Sequence, residues 1–154
     1  MAMATVYPDV VWQGVKDRLE DTPIPIEDRV AGVDGFKAVN SLAELEAISA
    51  DRVAAVILTE GPFHEASRPL CVDSIRLAVV IRYGLYADSL ARALRDQPLV
   101  NARLVTLGLS VAGVSSPVQV TGPTWDYTSL AGDNAVLVSH SLLVVYTATR
   151  PEVT

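Results

Sequence analysis

The sequence is poor in the residues from which most metal and nucleophilic sites are built. Among 154 residues there is one cysteine, Cys71, and there are two histidines, His64 and His140. A lone cysteine excludes an internal disulfide framework and fits a reducing cytoplasm. Cys71 itself reads as a small, half-buried hydrophobe. A zinc site needs three or four ligands in tetrahedral array, and these three residues share no metal-ligand spacing. Charge is also scarce, at 19% of residues against the ~25% of an average domain. That scarcity fits either a large core or apolar surface consumed in a subunit interface. Long apolar runs are missing too. Leu142–Val145 is among the longest, far short of the ~20 residues that cross a bilayer. Met1–Tyr7 has no basic region leading into an apolar stretch, so no secretory signal is expected. Lys and Arg form no stripe, which argues against a surface that grips nucleic acid, because phosphate neutralisation needs clustered cations.

Half of the residues are hydrophobic. A chain of this length buries roughly 68–70% of its unfolded surface, enough for a core without a disulfide or metal. The net charge of −6 is unevenly placed. Residues 1–60 carry eleven acids and five bases, whereas residues 61–154 carry seven of each.

Pro8–Asp21 is expected to be helical, with proline at a first helical position, Asp9 at the positive dipole end, and Tyr7, Val11, Val15 and Leu19 in a stripe. Gly14 costs that helix about 1 kcal/mol relative to alanine. Arg29–Phe36 reads as a short strand. Ser41 and Glu44 form a capping box opening a helix to about Ala50. Arg52–Thr59 reads as a buried strand, and Glu60–Asp73, with Gly61, Pro62 and Pro69, as a long exposed loop. In Ser74–Tyr83, Ile75, Leu77, Val79 and Ile81 alternate with Arg76, Ala78, Val80 and Arg82, the pattern of a strand. Tyr86–Gln97 reads as a helix stopped by Pro98, with Ala87, Leu90, Ala91 and Leu94 facing inward and an Asp88–Arg92 pair. Alternation over Asn101–Val111 predicts a strand. Pro117–Thr121 and Asn134–Thr149 supply two more, flanking a loop that holds Trp125, Asp126 and Tyr127. The fold class is therefore α+β, one domain over residues 1–154, a mostly antiparallel β-sheet with about three helices packed largely on one face.

No G-x-S-x-G elbow, phosphate-cradling glycine loop or convergent carboxylate pair is present, so no catalytic residue, cofactor or metal is assigned and no enzymatic activity is expected. His140 shares strand register with Val138 and Leu142 and reads as a core or interface histidine. The candidate protein-interface residues are His64 and Arg68 in the expected loop, and Trp125 and Tyr127, since aromatic residues are enriched at interface centres. Trp125 suits equally a loop folded over the chain's own core.

In layout the chain resembles the tail terminator (tail-completion) proteins of long-tailed bacteriophages. The likeness lies in the opening helix, the strand Val53–Leu58, the segment Thr59–Val72, the strand Ile75–Tyr83 leading into an Ala/Leu/Arg helix, and the final strand Leu142–Thr147. The resemblance implies a virion protein made in the host cytoplasm. It further implies a homohexameric ring on the head-proximal end of the tail tube, contacting tube and head-completion (neck) proteins and letting DNA pass without sequence-specific binding. A closing heterologous interface gives such a ring a fixed copy number. The implied contact loops are Thr59–Asp73 and Gly113–Asn134, and the acid-rich first sixty residues are a candidate lumen lining. Two alternatives stay open at the level of sequence: another neck or tail subunit, such as a head-closure or tail-tube protein, and a small enzyme or ligand-binding domain.

Overall fold

A computed structural model describes residues 6–25, 35–48, 51–65, 72–84, 87–127 and 135–148. Helix α1 (Pro8–Glu20) begins as expected, with Pro8 in its first turn and Asp9 beside it. Val11, Val15 and Leu19 are fully buried along one stripe, as the 3.6-residue period requires, whereas Tyr7, expected to lead that stripe, is the residue before the helix and is largely exposed. Gly14 has a steric reason to be small: a Cβ there would collide with Cγ2 of Val111.

The strands are β1 (Lys37–Val39), β2 (Val53–Glu65), β3 (Val72–Gly84), β4 (Gln119–Asp126) and β5 (Ala135–Thr147). They form one sheet in the order β1-β2-β3-β5-β4. Among the described residues only β1 and β2 run parallel; the other pairs are antiparallel. The α+β class and the mostly antiparallel sheet expected from sequence are thus observed. Helix α2 (Leu42–Ala47) opens with the capping box shifted by one residue. Ser41 Oγ accepts from Glu44 N–H, while the Glu44 carboxylate takes the N–H of Asn40. Of the expected strand Arg29–Phe36, positions 29–34 lie outside the described residues, and the strand that is described starts at Lys37.

Several expectations fail. Pro98 does not stop its helix: α3 spans Ala87–Val105 with the proline inside it. Proline there removes one backbone donor, but Pro98 lies on the exposed side of α3, where water can satisfy the freed carbonyl. The strand expected over Asn101–Val111 is instead the end of α3 followed by a 3₁₀ turn, Leu107–Leu109. Leu104, Leu107 and Val111 are buried while Leu109 is 78% exposed. That is helical spacing, which the chance alternation in sequence masked. Of the long loop expected over Glu60–Asp73, residues 60–65 and 72–73 are strand, since β2 runs to Glu65 and β3 starts at Val72, and 66–71 lie outside the described residues. Gly61-Pro62 lies within β2 at a register shift, a bulge of the kind edge strands accommodate.

The two sheet faces are unequal. On one, α1 and α3 cover the main core, which includes Ala54, Val56, Ile75, Leu77, Val138 and Leu142. On the other, the short α2 sets Leu45 against Val39, Val53 and Ala55, with Ile48, Ile57, Val80 and Leu137 partly buried around them. Arg18 joins the two long helices. Its Nε donates to Arg103 O at 3.0 Å, and its guanidinium also reaches Ser110 Oγ and Thr106 Oγ1 at 2.8 and 2.5 Å. A cation at the carbonyl end of α3 complements the helix dipole.

Candidate functional site

The inward face of α3 consists of Ser89, Ala93, Asp96, Gln97, Val100 and Leu104, all buried. This overturns the expectation that Ala91 and Leu94 face inward. Both are exposed, Leu94 by 58%. The helix is rotated by a buried polar network that sequence periodicity counted as solvent-facing. Arg52, fully buried just before β2, donates from Nε and Nη2 to the Asp96 carboxylate at 2.8 and 3.0 Å. Tyr83 Oη donates to the same carboxylate at 2.7 Å and accepts from Gln97 Nε2 at 3.3 Å. Gln97 Nε2 also donates to Ala93 O, so its Oε1 is left to accept from His140 Nε2 at 2.8 Å. The line of donors runs from β5 through α3 to β3 and the start of β2, and it fixes α3 on the sheet.

Burial sets the protonation of this network. It pushes the Tyr83 hydroxyl well above its ordinary range, helped by the neighbouring Asp96 charge. It lowers His140 to about 4, so the ring is neutral at physiological pH. A second layer ties down the N-terminal turns of α3: Arg92 bonds Asp51, Asp88 and Ser89, and Asp51 accepts from Gly84 N–H. The Asp88–Arg92 pair is therefore present as expected, at 3.1 Å.

With α3 so held, its flank from Leu94 to Asn101 and β4 bound a groove of about 420 Å³. Leu94, Gln97, Pro98, Asn101, Pro123 and Trp125 line it. The loop expected around Trp125 is in fact strand: Trp125 and Asp126 close β4, with Tyr127 next in the chain. Pro123 does not exclude the segment from the sheet because it sits at a register shift on an edge strand. Gly122 allows the close approach there. Its φ is +126°, and a Cβ would fall 2.8 Å from Ser139 O. Trp125 is half-buried against the main core, whereas Tyr127 is 57% exposed.

The four interface candidates are not brought together. Trp125 lines the groove, and Tyr127, two residues on, is exposed just past the end of β4. His64 lies on β2, toward the other side of the sheet, with Nδ1 2.7 Å from the buried Asp73 carboxylate. Arg68 lies outside the described residues, as does Cys71. His140 is a core residue, one of the readings the sequence allowed. Sequence reasoning missed Leu94 and Pro98, the apolar side chains opposite Trp125, because it assigned one inward and the other to a helix stop. The spacing of Ser89, Ala93, Gln97, Val100 and Leu104 was the available signal for the true inner face.

Two further hollows flank α1. One, of about 610 Å³, has Asp9 and Asp17 on its rim; the other, of about 260 Å³, is almost wholly apolar and lies between Trp12 and Leu58. Among the described residues no group of three or more His, Cys, Asp or Glu converges as a metal site. Among them, no helix is long and apolar enough to cross a membrane. Neither protein-family models nor curated proteins give a match to this sequence.

Proposed function

We propose that this chain is a structural subunit rather than an enzyme, acting as the tail terminator of a long-tailed bacteriophage. Copies form a ring, six in number, on the head-proximal end of the tail tube. The ring halts tube growth and presents a surface to the head-completion protein. The observation that carries the reading is the α3/β4 groove. Leu94 stays exposed and Trp125 half-buried along it, while a buried ionic network holds the α3 wall on the sheet, which suits contact with protein more than turnover of a substrate. The layout of strands and helices supports the same reading through its resemblance to that family.

Multi-angle light scattering on the purified chain, followed by negative-stain imaging, tests it. The expected result is a single species of several chains appearing as rings with a central hole. Filaments would redirect the reading to a tail-tube protein. A monomer that binds a small molecule saturably would replace it with a ligand-binding or enzymatic one.

A further inference from the structure

We infer that His140 is an acid-operated latch on the α3/β4 groove: protonation of its ring parts the two walls at Pro98 and at Gly122-Pro123 before the chain as a whole unfolds. The latch belongs to the single chain and stands apart from the assembly proposed above. His140 lies on β5 at the level where both walls are weakest. On β4 the ladder pairs Thr121 with Ser141 and Thr124 with Ser139, so Gly122 and Pro123 fall in the register shift opposite His140. A Cβ on Gly122 would come within 3.3 Å of the His140 Cα. On α3, Pro98 lacks the N–H that would otherwise reach the Leu94 carbonyl one turn back. Leu94, Pro98, Gly122 and Pro123 all line the groove.

Gln97 links the ring to the hollow. Its side chain lines the groove, and its Oε1 accepts from His140 Nε2. The neutral ring therefore carries its proton on Nε2, because Gln97 Nε2 already donates to Tyr83 Oη and Ala93 O. The ring is almost wholly buried, and its Nδ1 meets no partner among the described residues. A second proton would leave Nδ1 with an N–H and no acceptor, and would bury a charge. The groups facing this layer offer no relief. Asp96 on α3 already accepts through Oδ2 from Arg52 Nε and Tyr83 Oη, and through Oδ1 from Arg52 Nη2. Arg52, ahead of β2, is itself a cation, and Tyr83 on β3 already donates to Asp96 and accepts from Gln97. On β4 the facing residues, Gly122 and Pro123, carry no charge. Along β5 the next titratable side chain on this face is Tyr146, six residues on and fully buried. The register partner Val79 and the same-face neighbours Val138 and Leu142 are fully buried as well. Water has to supply the acceptor, and the groove that Gln97 lines is where it enters.

The two ends of α3 are held separately, which confines the motion to its middle. Arg92 fixes the first turns through Asp51, Asp88 and Ser89, and Arg18 clasps the last turn at Arg103 and Thr106. Linkage sets the size of the response. Burial holds the closed ring at about 4, against 6.5 for a hydrated one, so the open form gains roughly twentyfold between pH 7 and pH 5. The other histidine, His64, lies against Asp73 where β2 and β3 pair, away from both walls.

Hydrogen–deuterium exchange of the full chain at pH 7 and pH 5, corrected for the intrinsic amide rates and repeated in low urea, tests the latch. Residues 94–101 and 122–126 are expected to lose roughly twentyfold in protection on going to pH 5, and to exchange faster there than residues 77–83 of β3. Opening a local latch exposes little surface, so exchange in the walls should scarcely respond to urea, whereas β3 follows full unfolding and should respond steeply. His140→Gln and His140→Leu, which cannot take up the second proton, should abolish the acid response of the walls. Walls and β3 that share one protection and one urea dependence would overturn the latch, since acid would then act only through global unfolding. So would an acid response that persists in either variant, or one confined to the strands around His64 and Asp73. Should neither variant fold, the comparison of walls with β3 in the parent chain decides by itself.

Discussion

His140 shows how one residue couples the core to pH. Its ring is 1% exposed, and Nδ1 meets no protein partner among the described residues. Protonation would therefore bury a charge with an unpaired N–H. Burial holds the pKa at about 4, against 6.5 for a free imidazole. Between those values the unfolded chain binds more protons than the folded one. Stability from this group is full above 6.5 and falls as pH drops toward 4. At about 1.4 kcal/mol per unit, the loss across the window is on the order of 3 kcal/mol. Urea titrations at stepped pH should record it, and His140→Leu should flatten that segment of the profile; an unchanged slope would place the acid sensitivity elsewhere. Asp96 makes a sharper case. Asp96→Ala removes the carboxylate that accepts from the buried Arg52 guanidinium and from the Tyr83 hydroxyl, so a loss of roughly 3–5 kcal/mol is expected. The double variant Arg52→Met, Asp96→Ala should recover part of that loss, because it leaves no orphan charge. Denaturation midpoints of the three chains decide the matter.

Among the elements, β4 most directly shapes the candidate site. It is an edge strand, largely exposed along its length, joined to β5 on one side and bent at Gly122-Pro123. The bend depends on Gly122, since φ of +126° and the 2.8 Å approach to Ser139 O leave no room for a methyl group. Gly122→Ala should lift β4 from β5 at that point and cost about 1–3 kcal/mol. The half-buried Trp125 reports the shift, with fluorescence moving to the red as water reaches the indole. An emission spectrum unchanged from the parent chain would count against this role for the glycine. Helix α3 is the counterpart wall. Its continuation through Pro98 puts Leu94 and Pro98 on the same side as Trp125, a juxtaposition that a helix ended at Gln97 would not give.

At the scale of the whole molecule, the sheet is covered unevenly. Two helices shield one face and one short helix part of the other, while apolar side chains remain exposed at both sheet edges. Such a chain is expected to gain stability by association. If assembly binds only folded copies, the thermal midpoint rises with protein concentration by mass action. A series spanning two orders of magnitude in concentration should show a rise for the parent chain and none for Leu94→Asp. A midpoint independent of concentration in both would remove association as a source of stability.

The sequence alone determined the fold class, the α1 stripe of Val11, Val15 and Leu19, the alternation of β3 and the capping box at Ser41. Each of these is a short-range pattern that sterics and local hydrogen bonding read within a few residues. Tertiary structure decided the course of α3 through Pro98, the helical fate of residues 101–109, the strand character of Gly61-Pro62 and Gly122-Pro123, and the outward turn of Leu94. In those places local preference was weak or contrary. Contacts distant in sequence outweighed it: Arg52 with Asp96, Gln97 with His140, and β4 with β5.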